Sequence, residues 1–453
     1  INLLVQTTAF RMKMYMSYPR EISKQMLDFI ESSPSCYHAV HNLAGMLERE
    51  GFSPLEESAC WTLAPGRGYY TTRNGSSLIA FRIPEPAEGG FLIAAAHSDS
   101  PAFKLKRRPE LKSKHYLRLN VEKYGGAILS SWLDRPLSIA GRVAVRDRDC
   151  VEQRLVNVDR DLVLIPNVAI HMSRPASENA ALNPQIDLLP LLGQSEPEGT
   201  LDKLIAKNAG TEPGAVLDSD LFLYLRERGR IWGAQEEFLS SPRLDDLQCA
   251  WACVRGLIEA NTPQAIPVCA VFDNEEVGST TKQGADSTFL QDTLERISEC
   301  LGRSRQEHRA ALASSLMVSV DNGHAVHPNH PEKSDEANYP QMNQGVVIKY
   351  SANQKYTTDA VSAALFQTVC QKAEVPTQVY LNRSDMPGGS TLGNISNAHV
   401  SLLTVDVGLA QLAMHSPFET AGVQDTAYLL RALAGLYRTK LLCVGPGRWK
   451  VLA

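Results

Sequence analysis

The chain has 453 residues, more than one hydrophobic core usually supports, so its length favours two domains, one inserted into the other. A hydrophobic content of 43%, a charged content of 21% and a formal net charge of -5 are ordinary for a globular protein and give no electrostatic case for a nucleic-acid partner. No run reaches the roughly eighteen apolar residues of a membrane-spanning helix, so no membrane partner is expected.

Nine cysteines (Cys36, Cys60, Cys150, Cys249, Cys253, Cys269, Cys300, Cys370, Cys443) form no CxxC pair, and several lie in apolar runs, the pattern of unpaired thiols in a reducing compartment. Cys249 and Cys253 share a helical face, but Trp251, Val254 and Leu257 around them favour packing over metal binding. Ile1 to Met16 is too short and mixed for a signal peptide and is left out of the fold; the expected location is the cytoplasm.

From Glu21 to Phe52 apolar residues recur at helical spacing, with Ser35 as an N-cap and Gly51 as a stop, which predicts two opening helices. Ser77 to Ile83 and Phe91 to Ala96 read as strands, the second apolar throughout and therefore covered on both faces. Between about Lys104 and Arg230 come short β-like segments (Tyr116 to Val121, Leu137 to Val145, Asp161 to Ile165) and then a polar passage, Pro175 to Pro213, that reads as a mobile loop. Ala265 to Phe272, Leu316 to Val320 and Ser401 to Val407 are further apolar strands, separated by helical patterns at Leu247 to Ala260, Asp359 to Ala373 and Gln424 to Tyr437. Such alternation predicts an α/β fold, a mainly parallel sheet flanked by helices, whose ligand site lies beyond the carboxyl ends of its strands.

Polar residues gather at those ends. In Phe272-Asp273-Asn274-Glu275-Glu276-Val277-Gly278 two adjacent carboxylates follow a buried strand; one could bind a metal while the other takes a proton from water, although solvated charge pairs are common at strand ends. In Ala95-Ala96-His97-Ser98-Asp99 an imidazole ends a strand and a carboxylate stands two residues on, where it can hold the second ring nitrogen of a metal-bound His. Alone, such a His is more often structural.

Ser241-Pro242-Arg243-Leu244-Asp245-Asp246 places acids at the entrance of a helix, where capping is the bland alternative, above all for Asp246. In Val320-Asp321-Asn322-Gly323-His324 an Asp ends another strand, and His324, His327 and His330 follow within nine residues. Leu412-Ala413-Met414-His415-Ser416 carries a His behind the last strand. Two His and three carboxylates suit a pair of borderline cations such as zinc sharing one carboxylate, and two such ions about 3.5 to 4 Å apart can activate one water. Glu275 would then be the base.

HSDSP, RLDD, DNEEVGS, DNGHAVHP and LAMHS, in this order and spacing, resemble the M18 or aspartyl aminopeptidase family, part of a larger clan of co-catalytic zinc exopeptidases. The resemblance runs from about Ser17 to Leu436; Ile1 to Met14 and the tail from Cys443 do not share it. It implies a zinc-exopeptidase catalytic domain in two parts, residues 17–103 and 231–440, interrupted by a β-rich dimerisation domain at 104–230. It further implies two zinc ions, with cobalt or manganese able to replace one: His97, Asp245 and Asp321 would hold the first, Asp245, Glu276 and His415 the second, with Asp99 orienting His97.

Glu275 would take a proton from the attacking water and return it to the leaving amine. The expected activity is release of N-terminal residues, Asp or Glu, from peptides. By the same resemblance Lys349 would recognise an acidic side chain, His324 and Tyr356 would contact substrate, and His171 would enter a neighbouring subunit's site in a homo-oligomer, a dimer or a tetrahedral dodecamer of dimers. A nearby Lys355 is the competing cation. A neutral aminopeptidase, carboxypeptidase or deacylase of the same clan, or a non-catalytic scaffold, would be the rival assignments. Gly388-Gly389-Ser390 lacks a following GK[ST] and reads as a tight turn near the site rather than a phosphate loop.

Overall fold

A computed structural model of the chain describes residues 18–172, 182–194, 197–261 and 263–452. The reading of Ile1 to Met16 falls outside these residues, as do positions 175–181 and 195–196 of the Pro175 to Pro213 passage.

The principal sheet has nine strands in the order Ser53–Pro54, Gly68–Arg73, Ser77–Arg82, Ile266–Phe272, Phe91–His97, Leu316–Val320, Leu403–Gly408, Val346–Lys349, Thr377–Tyr380. The four strands from Ile266–Phe272 to Leu403–Gly408 run parallel, as the apolar runs predict. Antiparallel pairing at Ser77–Arg82, and between Leu403–Gly408 and Val346–Lys349, makes the whole sheet mixed. All seven residues of Phe91–His97 are buried. Its side chains alternate strictly between two cores: Leu92, Ala94 and Ala96 join one hydrophobic cluster, Phe91, Ile93 and Ala95 the other.

The first cluster packs the sheet against helices 18–31, Cys36–Arg49, Leu244–Glu259, Ala360–Lys372 and Val423–Arg438, and the second against Phe289–Cys300 and Arg305–Ala313. Layers on both faces leave only the sheet's ends for polar chemistry.

The strands between Ala102 and Leu225 form a separate seven-stranded antiparallel sheet, whose order closes on itself because Val216–Leu225 pairs with both Ala102–Ser113 and Pro136–Asp147. Its own hydrophobic cluster includes Phe103, Trp132, Ile139 and Leu221. A small third sheet joins Arg230–Trp232, Phe238–Ser241, Glu419–Gly422, Ala410–Leu412 and Gly323–His324, so that it gathers the chain on either side of three of the polar motifs.

Two expectations are corrected. The Pro175 to Pro213 passage is not a loop throughout: Leu191–Gln194 is a strand and Thr200–Asn208 a helix, held by burial of Leu201, Ile205 and Ala206 on one face. Ser35 occupies the N-cap position of Cys36–Arg49, but its hydroxyl bonds His38 Nδ1 at 2.8 Å instead of a helix amide. Among the described residues the cysteines are all unpaired; Cys36, Cys249, Cys253, Cys269 and Cys370 are buried, while Cys60, Cys150 and Cys443 are exposed.

Candidate metal centre

Parallel register aligns the carboxyl ends of the central strands. Phe272 lies opposite His97, and Ser319 opposite Ala95, so the residues that follow, Asp273 to Glu276 and Asp321, emerge beside His97. Gly408 lets the last strand pass this edge, because a Cβ there would lie 1.8 Å from the Asp321 carbonyl oxygen. The chain then returns through Ala410–Leu412 to His415, which has a φ of 67.

The acids of Leu244-Asp245-Asp246 stand where Leu244–Glu259 has not yet become a regular helix, since Asp245 and Asp246 both have non-helical backbone angles and the peptide between them is cis. Asp246 is not a cap. One of its carboxylate oxygens accepts the His97 amide at 3.2 Å and the other has no hydrogen-bond partner.

Two sets of ligand atoms, each within 4.8 Å of one another, meet on Asp245: His97, Asp245, Asp246 and Asp321 form one, and Asp245, Glu276 and His415 the other. The imidazoles reveal what the sets can hold. His97 Nδ1 lies 3.1 Å from the Asp99 carbonyl, and His415 Nδ1 lies 2.9 Å from the Gly126 carbonyl. A carbonyl only accepts, so both Nδ1 atoms carry the proton and each Nε2 presents its other face to carboxylate. His97 Nε2 is 3.7 Å from Asp245 Oδ1, and His415 Nε2 is 3.4 Å from both Asp245 Oδ2 and Glu276 Oε1.

Each Nε2 is therefore the ring atom turned to the carboxylates, where it donates a proton when charged and, when neutral, can share a cation with them. Asp245 Oδ1 and Glu276 Oε1 are buried without a hydrogen-bond partner, and a buried, uncompensated charge costs several kcal/mol. Imidazole and carboxylate in these sets are the ligand types zinc takes, so the residues fit that ion.

The electrostatics agree. Burial opposes a charged His415, but Asp245 and Glu276 overcome it and push its pKa up to about 10. His97 is also raised, its desolvation outweighed by Asp245, Asp246 and Asp99. Burial pushes Glu275 up to about 8, with Asp321, Asp99 and Asp245 adding to the rise and His97 opposing it. The surplus of buried carboxylate behind these shifts is what a bound cation would relieve.

Asp99 ties the parts together. Its Oδ1 is 3.3 Å from His97 Nδ1 and accepts the Glu275 amide at 3.1 Å, while Oδ2 accepts the Glu276 amide at 3.2 Å and the Tyr124 hydroxyl at 2.7 Å. Glu419, buried to 1% exposure, accepts the Asp245 amide at 3.0 Å and the His415 amide at 2.7 Å.

The centre opens into a cavity of about 270 Å³ lined by His97, Asp245, Glu275, Asp321, His324, Lys349, Tyr356 and Tyr380, together with Gly389 to Thr391. Lys349 is 2% exposed; its ammonium donates to the Asn322 carbonyl at 2.8 Å and stands 3.6 Å from Asp321 Oδ1. Burial opposes that charge, but Asp321 raises its pKa, so it stays cationic.

The family described as "Aminopeptidase I zinc metalloprotease (M18)" matches residues 29–437. The chain belongs to the M18 family of zinc aminopeptidases. It is 45% identical over 426 residues to a probable M18 family aminopeptidase 2 of Clostridium novyi (strain NT), covering 92% of this chain and 98% of that one. A chain of the cryo-EM structure of the Ape4 and Nbr1 complex superposes with a TM-score of 0.90 at 36% identity, covering 93% of this chain and 86% of that chain. The S. cerevisiae mApe1 dodecamer superposes with a TM-score of 0.81 at 27% identity, covering 92% of this chain and 96% of that chain.

In this M18 aminopeptidase the predicted residues His97, Asp99, Asp245, Glu275, Glu276, Asp321 and His415 come together, and His324, Lys349 and Tyr356 line the adjoining cavity. His171 does not; it lies on an exposed turn and is not among the residues lining that cavity. Lys355 is exposed and donates to the Gly388 carbonyl at 2.9 Å. Gly389 and Ser390 line the cavity, but residues 388–390 are irregular chain and the turn lies earlier, at 384–385. Sequence reasoning missed Glu419, Tyr124, Tyr380 and the non-capping role of Asp246. For Glu419 a faint signal existed: an acid four residues beyond His415, directly after Phe418.

Proposed function

We propose that this M18 aminopeptidase is a co-catalytic two-zinc enzyme that releases N-terminal Asp or Glu from peptides, with cobalt or manganese able to occupy one of the two positions. The observation that carries the reading is the pair of ligand sets sharing Asp245, with Glu275 at the same cavity. His97, Asp245 and Asp321 would hold one ion, with Asp246 close enough to join them; Asp245, Glu276 and His415 would hold the other. Two zinc ions so held supply a Lewis acid and lower the pKa of water.

The chain's own residues do the rest. Glu275 accepts a proton from the attacking water and delivers it to the leaving amine, from its place in the cavity beside Asp245 and Asp321. Asp99 keeps His97 in one tautomer and holds the Glu275 and Glu276 amides. Lys349 faces an acidic side chain, with His324 and Tyr356 as the remaining contacts. His171 serves the site of a neighbouring subunit, which accords with its exposed turn and with the exposed Val168 and Met172 beside it. Residues 104–230 form the dimerisation domain between catalytic parts 17–103 and 231–440, and dimers assemble further, as in the dodecameric mApe1. Unpaired cysteines fit a cytoplasmic location, and no described helix is long and apolar enough to cross a membrane.

One observation favours a second reading, neutral specificity: the Lys349 ammonium is already engaged by the Asn322 carbonyl and Asp321. Hydrolysis of Asp-, Glu- and Leu-p-nitroanilide, with and without chelator and beside Glu275→Gln, separates the readings. Chelator-sensitive release from the Asp and Glu substrates, reduced about a thousandfold or more in Glu275→Gln with zinc retained, is the expected result. Preference for Leu would keep the mechanism and remove Lys349 as the selector, and no cleavage by zinc-replete protein would return the chain to a scaffold.

A further inference from the structure

Within three residues, the segment Tyr124-Gly125-Gly126 meets three separate parts of the metal centre, although it belongs to the second sheet rather than the first. It follows directly on the strand Tyr116–Tyr124. The Tyr124 hydroxyl donates to Asp99 Oδ2 at 2.7 Å and accepts from Asn274 Nδ2 at 2.8 Å. Gly125, with a φ of +73, approaches so closely that a Cβ there would lie 3.1 Å from the Glu276 Cβ. The Gly126 carbonyl accepts from His415 Nδ1, and the Ile128 amide donates to the His415 carbonyl at 3.0 Å.

Tyr124 is two hydrogen bonds from the Glu275 backbone through Asp99 and one from the neighbouring Asn274. Through Asp99 it reaches the Glu275 amide, and through Asn274, whose φ of 61 sets the turn, it reaches the preceding residue. Asn274 is itself fixed, its Oδ1 accepting from Thr281 at 2.8 Å and Gln283 at 2.7 Å. The Tyr124 ring is wedged edge-on to Phe222 of the second sheet, with centroids 5.4 Å apart at 79°. Without the hydroxyl, Asp99 Oδ2 would keep only the Glu276 amide, and the turn would lose its hydrogen bonds to Tyr124.

We propose that Tyr124 is a positioning residue for Glu275: its hydroxyl clamps Asp99 to Asn274 and so sets where the base stands, making that placement depend on the second sheet. The inference rests on the assignment of Glu275 as base. A hydrogen bond to a buried carboxylate is strong enough that its loss should lower turnover about ten- to a hundredfold.

The test uses full-length, zinc-loaded Tyr124→Phe beside wild type. Its readouts are kcat and KM on whichever aminoacyl-p-nitroanilide the wild type cleaves, bound zinc, and amide hydrogen exchange across residues 273–278. A fall in kcat of about that size is expected with KM within about twofold, zinc content unchanged and faster exchange confined to the Glu275 turn. Unchanged kcat with unchanged exchange would overturn the clamp, and so would a kcat loss that tracks loss of zinc. If the wild type cleaves no substrate, the assignment of the base fails; exchange then judges the clamp alone, and an unaltered rate at residues 273–278 overturns it.

Discussion

Asp99 performs two tasks at once, orienting His97 and accepting the amides of Glu275 and Glu276. Outer carboxylates that hold a ligating imidazole contribute about ten- to a hundredfold to metal affinity. Asp99→Ala should therefore weaken zinc binding by that factor, measured by competition with a chromophoric chelator, and also slow turnover in protein saturated with zinc. A loss of affinity alone would mean that the amide contacts contribute nothing to catalysis. Asp99 and His97 were visible in the sequence because a His at the end of an apolar strand followed by an acid is a local pattern. Glu419 was not, since its two amide partners, Asp245 and His415, approach it through different segments.

At the scale of elements, two close features carry consequences. Gly408 ends a central strand against the Asp321 carbonyl, so Gly408→Ala must push apart the strand end and Asp321, the proposed metal ligand. Overpacking of this kind costs about 3 kcal/mol, and the expected outcome is a lower Tm together with a lower zinc content at fixed free zinc. A fall in Tm with zinc content intact would show that the strand yields without moving Asp321.

The helix Cys36–Arg49 offers a pH test away from the centre. Burial, with His41 and Arg243 adding to it, pushes His38 from 6.5 down to about 4. The folded state thus resists a proton that the unfolded chain accepts, so this contribution to stability is complete above pH 6.5 and is lost as the pH falls towards 4. Between pH 7 and 4.5 it amounts to on the order of 2 kcal/mol. Denaturant unfolding across that range should show His38→Gln losing less stability than wild type by about this amount, and equal losses would refute the assignment. Helix and strand positions were legible wherever apolar spacing was regular; Thr200–Asn208 was hidden because its short buried face lies in a passage of polar composition.

For the whole molecule, the relation between the two sheets decides most. The second sheet contributes the Gly126 carbonyl to His415 and the Tyr124 hydroxyl to Asp99, so neither sheet alone completes the centre. If His171 also acts in a neighbouring subunit, His171→Ala and Glu275→Gln should each be inactive alone, yet mixed oligomers should regain part of the wild-type rate. A subunit carrying His171→Ala keeps its own Glu275 and receives the intact His171 of its partner. Co-expression with separate affinity tags and assay of the doubly purified oligomer checks this; an inactive mixture would place His171 outside the reaction.

The sequence by itself determined the central parallel strands, because fully buried strands must be apolar throughout. It also pointed to His97, Glu275, Glu276 and Asp321, because they end or follow those strands, where polar groups can reach a ligand, and to Asp245 and His415 only through the company of those motifs. Only the tertiary structure decided that Asp246 faces His97 instead of capping a helix, that Glu419 holds the Asp245 and His415 amides, and that Tyr124 and Gly126 reach the centre from another sheet. Those contacts join residues distant in the chain through single hydrogen bonds, and no periodicity or local spacing encodes such a bond.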